Sequence, residues 1–169
     1  MANTFELIYA TTVGSGGASD ITFNTIPSTY TDLVLELSGR STASGTYNGI
    51  ALTLNGSTSN FSGKELYGTG SGTPGAGNPG TANNIGYVDG SSATASTFAN
   101  CAWYIPNYAG SNYKSISGDG VVENNATSCL TWLTASLWSN SAAITSLSIA
   151  TTTAFAQYTT AYLYGVKNA

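Results

Sequence analysis

There is no histidine anywhere in the chain. That absence removes Ser-His-Asp and Cys-His catalysis, histidine zinc sites and the histidine proton shuttle together. Charge is nearly as scarce, at 7% of residues, against about 25% in an average soluble domain. The basic residues are Arg40, Lys64, Lys114 and Lys167 alone, and the net charge is −4. No basic patch can be drawn from so few, which argues against a nucleic-acid partner. Two cysteines, Cys101 and Cys129, are too few for a disulfide scaffold. They read as small buried hydrophobes, with a disulfide between facing strands as the alternative. The sequence shows no basic-then-apolar leader and no long apolar run. The expectation is therefore a chain without a cleaved signal or a membrane span, made soluble in a cytoplasm.

What is present is polar but uncharged. About half of the residues are Ser, Thr, Asn or Gly. Hydroxyls and amides must cover most of the solvent faces. Thr, Tyr, Val and Ile favour strands, while Glu, Lys and Arg, the charged helix formers, are rare. Few charges are left to guard strand edges, a problem solved by closing the sheets or by oligomerising. The length of 169 residues suits one domain, expected to span 1–169.

Alternation dominates the chain and no amphipathic helix stands out. "TFELIYATT" (Thr4–Thr12) places Phe5, Leu7 and Tyr9 on one face. "DITFNTI" does the same with Ile21 and Phe23. "TDLVLELSGR" turns Leu33, Leu35 and Leu37 inward, with Val34 and Glu36 outward. In "NGIALTLNGSTSNF", Ile50, Leu52 and Leu54 alternate before Asn55-Gly56, a hairpin-turn signal. "KELYG" reads as a further short strand. In "STFANCAWYI", Phe98 is out of phase with Cys101, Trp103 and Ile105, which suggests a bulge. "NYKSISGDGVV" reads as a strand interrupted near Gly118. "TSCLTWLTASLW" sets Leu130, Trp132 and Trp138 on one face and Cys129, Leu133 and Leu137 on the other. "AITSLSIA" and "YTTAYLYGV" close the chain. Some eight to ten strands with regular turn signals predict an all-β sandwich or barrel, with early strands pairing late ones.

The stretch Tyr67–Asn84, "YGTGSGTPGAGNPGTANN", reads as one long Gly-rich loop of that sandwich, reaching for a neighbouring subunit or simply mobile. Within it "GSGTPG" (Gly70–Gly75) matches G-x-G-x-x-G, but no helix signal follows, so dinucleotide binding is not expected. Asp119 and Glu123 in "SGDGVVENN", with Asp89 in "YVDGSS", could form an acid pair or hold calcium. Acids beside glycine are more often turn formers, and no metal, cofactor or catalytic residue is expected. "NGS" at Asn55, "NFS" at Asn60 and "NAT" at Asn125 are sequons that a chain this rich in Asn, Ser and Thr produces by chance. Trp103, Trp132 and Trp138 are expected to fill the core, with a sugar-stacking platform as the alternative. Tyr158, Tyr162 and Tyr164 share one face of the last strand, where amphipathic aromatics suit a protein interface.

"TTVGSGGASDITFNTIPSTYTDLVL" (Thr11–Leu35), "YIPNYAGSNYKS" (Tyr104–Ser115), "LWSNSAAITSLSI" (Leu137–Ile149) and "TTAYLYGV" (Thr159–Val166) together resemble a family of small virion structural proteins of tailed bacteriophages, cyanophages included. The resemblance runs in order over nearly the whole chain and is weakest from Gly39 to Ser96. It implies a jelly-roll-like antiparallel β-sandwich. It also implies a non-enzymatic capsid decoration, or cement, protein on the virion surface, bound to the major capsid protein where capsomers meet. A homotrimer is expected, with no membrane partner. Related sequences also look like tail-fibre or tail-tip parts, which makes a receptor-binding module the alternative. On this reading the interface residues are Tyr67, Gly70, Pro74 and Pro79 of the glycine stretch, with Tyr158, Tyr162 and Tyr164.

Overall fold

The computed structural model describes residues 4–70, 72–79, 81–125 and 129–167. Among them there is no helix, and the chain forms twelve strands. These are β1 (Phe5–Thr12), β2 (Ala18–Phe23), β3 (Asp32–Gly39), β4 (Tyr47–Leu54), β5 (Phe61–Gly68) and β6 (Gly75–Gly77). Then follow β7 (Asn84–Asp89), β8 (Ala99–Pro106), β9 (Lys114–Val122), β10 (Leu130–Trp138), β11 (Leu147–Phe155) and β12 (Thr160–Val166). The larger sheet has eight strands in the order β1-β12-β3-β8-β9-β10-β5-β6, and the smaller has four in the order β2-β11-β4-β7. Every pairing between these strands is antiparallel. The fold is all-β and sandwich-like, and early strands do pair with late ones: β1 with β12 and β2 with β11.

The alternation in sequence becomes the two faces of each strand. Leu33, Leu35 and Leu37 of β3 and Trp103 and Ile105 of β8 meet Ile50, Leu52, Ile149 and Phe155 in one buried cluster. Burying each such side chain stabilises the fold by about 1.5–3 kcal/mol before entropy is counted. Trp103, Trp132 and Trp138 are each 1% exposed, so the tryptophans form core and not a sugar platform. Asn55 and Gly56 take φ of 51° and 73° in a two-residue hairpin turn, as their pairing predicts. The Asn55 side chain then ties that turn to the 143–146 segment, donating to Ala143 O and accepting from the N–H groups of Thr145 and Ser146.

Four local expectations are corrected. The register of β1 shifts between Leu7 and Tyr9, so Phe5 and Leu7 face solvent at 57% and 55% exposure while Tyr9 stacks on Phe23 at 5.6 Å. Phe98 lies before β8, whose pairings with β3 and β9 run without a bulge. β9 passes through Gly118 and Gly120 unbroken. Those glycines open space for indoles: a Cβ at Gly118 would stand 2.1 Å from Trp103, and one at Gly120 2.4 Å from Trp132. Finally, part of the glycine stretch is strand. Gly75–Gly77 form β6, which folds back along β5 with Leu66 opposite Ala76.

Candidate functional site

Residues directly opposite on antiparallel strands share a face, so the register maps the outer surface of the larger sheet in rows. One row runs Ala76, Leu66, Leu133, Asp119, Ala102, Glu36, Tyr162, Ala10. The next runs Lys64, Ala135, Ser117, Tyr104, Val34, Tyr164, Leu7. Both ends of this face are apolar. At one, Leu66 and Leu133 are each 57% exposed, with Val121 at 38% beside them. Leu66 and Leu133 border a groove of about 430 Å³ lined by Lys64, Ala76 and Ala135 as well. At the other end Phe5 and Leu7 stand out beside Tyr162 and Tyr164, whose rings are 6.4 Å apart, and Tyr104 stands out on β8, across Val34 from Tyr164. Glu36 and Asp119 occupy the middle. Among the described residues no other strand covers Leu7, Leu66, Tyr104 or Leu133 on this outer surface, each of which is more than a third exposed.

The face is held rigidly where its polar groups are tied down. Asp32 accepts from Tyr104 Oη at 2.6 Å and from the Asn107 N–H at 2.8 Å. That bond to the carboxylate, with burial, raises the Tyr104 phenol above its ordinary pKa. On the inner side of β5, Glu65 is buried and accepts from Tyr87 Oη at 2.8 Å. Burial, and then the Glu65 bond, push the Tyr87 phenol strongly upward. The Lys64 ammonium donates to the Asn78 side chain, fixing the chain that follows β6.

The residues named from sequence are spread over this surface unequally. Tyr162 and Tyr164 share the outer face of β12. Tyr158 does not share it. It precedes β12 in a left-handed turn at φ 71° and is 68% exposed. Tyr67 lies on β5 with its ring over Gly75, where a Cβ would come within 2.3 Å. Pro74 borders a second depression on the far side of Leu66 and Leu133. Gly70 takes φ 77° and lies against Cys129, and Pro79 is buried with its ring against Gly63. Gly70 and Pro79 thus shape the return of the chain. Phe5, Leu7, Leu66, Tyr104, Val121 and Leu133 were missed in the sequence. Their signal was apolar residues on both faces of one strand, as in "LTWLTASLW".

The three acids stand on different elements, with the charge of Glu123 near enough to Asp89 to add to the rise that burial causes in its pKa. Asp119 is on the open face of β9, and Glu123 lies beyond that strand, its carboxylate accepting from the Asn125 N–H at 2.9 Å. Among the described residues no three or more His, Cys, Asp or Glu side chains group to hold a metal. "GSGTPG" runs into strand β6 and not into a helix. Asp89 is a core residue and not a surface turn former: it is fully buried at the end of β7. Burial raises its pKa, against the pull of the nearby Arg40 charge. Arg40 itself clamps the 91–97 loop, donating to the carbonyls of Ser91, Ala93, Thr94 and Thr97. Both cysteines are free thiols, and burial pushes that of Cys101 far above its usual range.

No protein-family model, no curated protein and no solved structure matches this chain.

Proposed function

We propose that this protein is a capsid decoration protein of a tailed bacteriophage, seated on the outer surface of the shell through the open face of its larger sheet. The observation that carries the reading is that face: Leu66, Leu133, Val121, Phe5, Leu7 and Tyr104 are exposed on one side of one sheet. Apolar surface gathered in this way marks a protein contact more often than a free surface. The sequence resemblance supports the same conclusion. So does the strand order. On this reading the smaller sheet, β2-β11-β4-β7, and the run β3, then β10-β5-β6, would be the two sheets of a jelly roll. The β8-β9 hairpin would be inserted into its second sheet, with β12 and β1 added beyond β3. The partner is the major capsid protein, and the working unit is a homotrimer at capsomer junctions. A subunit that binds only the assembled shell stabilises it by mass action and needs no chemistry of its own.

The Tyr162–Tyr164 pair, with Tyr104 two strands away on the same face, favours one other reading, a fibre or tail-tip module that binds a receptor through exposed rings. Quantitative mass spectrometry of purified virions separates the two. A copy number equal to the major capsid protein, or a simple symmetric fraction of it, is the result expected for cement. A handful of copies moves the protein to the tail, and absence from the particle overturns both readings.

A further inference from the structure

Three of the four sheet edges are guarded. β6 has three residues, with Pro74 before it and Pro79 after it. β7 is buried at five of its six positions. β2 carries the exposed Asp20, a charge of the kind that deters strand pairing. β1 is different. It is eight residues long, has no Lys or Pro, and among the described residues pairs only with β12.

The hydrogen bonds fix which of its backbone groups are free to pair. Val13 N–H donates to Thr159 O and Val13 O accepts from Tyr158, while Thr4 O accepts from Lys167. Stepping by two from each end, Thr4 and Glu6, then Tyr9, Thr11 and Val13 beyond the bulge, turn their N–H and C=O groups toward β12. Phe5, Leu7, Ala10 and Thr12 turn theirs away from the sheet. We infer that β1 pairs with β1 of a second copy of this chain, antiparallel about a two-fold axis, with Phe5 opposite the second copy's Thr12 and Leu7 opposite its Ala10.

Self-complementarity selects the occupant. In this register all of the outward groups of both strands find partners. Between the Leu7 and Ala10 pairings each copy contributes the same two residues, Ile8 and Tyr9, so the two bulges face each other and the ladders stay in step. A regular strand would have to shift by one residue there, as β12 does on the other side of β1. Charge agrees. Glu6 is the one charged residue of β1; it faces Thr11 of the second copy, and its carboxylate is already held by Lys167 at 2.7 Å and Tyr30 at 3.1 Å. No like charges oppose each other. The contact would join two eight-stranded sheets into one, and it stands independently of the capsid reading and of the three-fold assembly.

The test is disulfide trapping in the full-length protein. Under a mild oxidant, the Leu7→Cys/Ala10→Cys chain is expected to give a covalent dimer whose bridged peptides join position 7 to position 10. The Leu7→Cys chain alone, with Ala10 opposite its thiol, should give none. Hydrogen exchange on the unmodified protein is the second measurement. The amides of Phe5, Leu7, Ala10 and Thr12 should be protected at high concentration and lose protection on dilution. Leu7→Lys should raise the concentration for half-association by about tenfold or more. No bridged dimer from a folded double variant, equal yield from the single variant, or unprotected outward amides at all concentrations would each overturn the inference. Failure here leaves the virion copy number, and so the capsid reading, untouched.

Discussion

Trp103 and Trp132 stack with ring centroids 5.8 Å apart and planes 28° from parallel, and each indole lies over a glycine of β9. The Trp103 indole N–H donates to Ile85 O at 2.7 Å, tying the stack to the opposite sheet. The pair fills the space between the sheets only because Gly118 and Gly120 have no side chains.

Gly120→Ala should therefore overpack the core. Its Cβ would meet Trp132 at 2.4 Å and the Asn100 carbonyl at 2.9 Å, and the backbone cannot yield as a side-chain tip can. A loss of about 1–3 kcal/mol in urea denaturation is expected. An unchanged midpoint would mean that the indole has somewhere to move.

Asp89→Asn should stabilise the protein at neutral pH. Burial makes the folded state hold the Asp89 proton more tightly than the unfolded chain does. The favourable contribution of that carboxyl is complete below its ordinary pKa and is lost as pH rises through the raised one. The uncharged amide escapes this loss. Thermal melts should show the variant more stable at pH 7, with the difference shrinking toward about pH 4. A gap that is flat with pH would show that Arg40 fully compensates the charge.

Lys114 is fully buried, and its ammonium donates to the carbonyls of Gly110 and Asn112. It closes the turn before β9 as a backbone cap would. Lys114→Met keeps the apolar stem and leaves both carbonyls without their donor. The expected cost is about 1–3 kcal/mol, read from the denaturation midpoint, with faster amide exchange confined to residues 107–113.

Leu66→Ser and Leu133→Ser test the open face. Both side chains are more than half exposed, so each change should alter stability by no more than about 0.5 kcal/mol. Binding to empty capsids should fall by about tenfold or more, if these residues anchor the contact. Co-sedimentation with shells measures it. Full binding by the double variant would remove this end of the sheet from the interface.

Much of the fold was legible because period-two alternation survives in most strands. Leu33, Leu35 and Leu37, or Leu130 and Trp132, report their face without ambiguity. Where the pattern failed, the cause was non-local. The bulge at Leu7 reverses the face of Phe5, and nothing within "TFELIYATT" marks it, because both registers place apolar residues on one side. Gly118 looked like a break because its role depends on Trp103, fifteen residues away in sequence and adjacent only through strand pairing. Asp89 looked like a turn former because its burial comes from packing that no local pattern encodes. The open face was half legible: Tyr162 and Tyr164 were in phase, but Leu66 and Leu133 became a patch only once β5 lay beside β10.

The pairing of β1 with β12 sets the order in which the molecule can be made. The first strand waits for the last, and β2 waits likewise for β11. Neither sheet can be completed before β11 and β12 have been made, and closing such long loops makes folding slow. Until β12 arrives, β3 has an open edge. A chain with few charges to keep it apart from its neighbours is then most prone to aggregate. Its vulnerable moment is synthesis, not service.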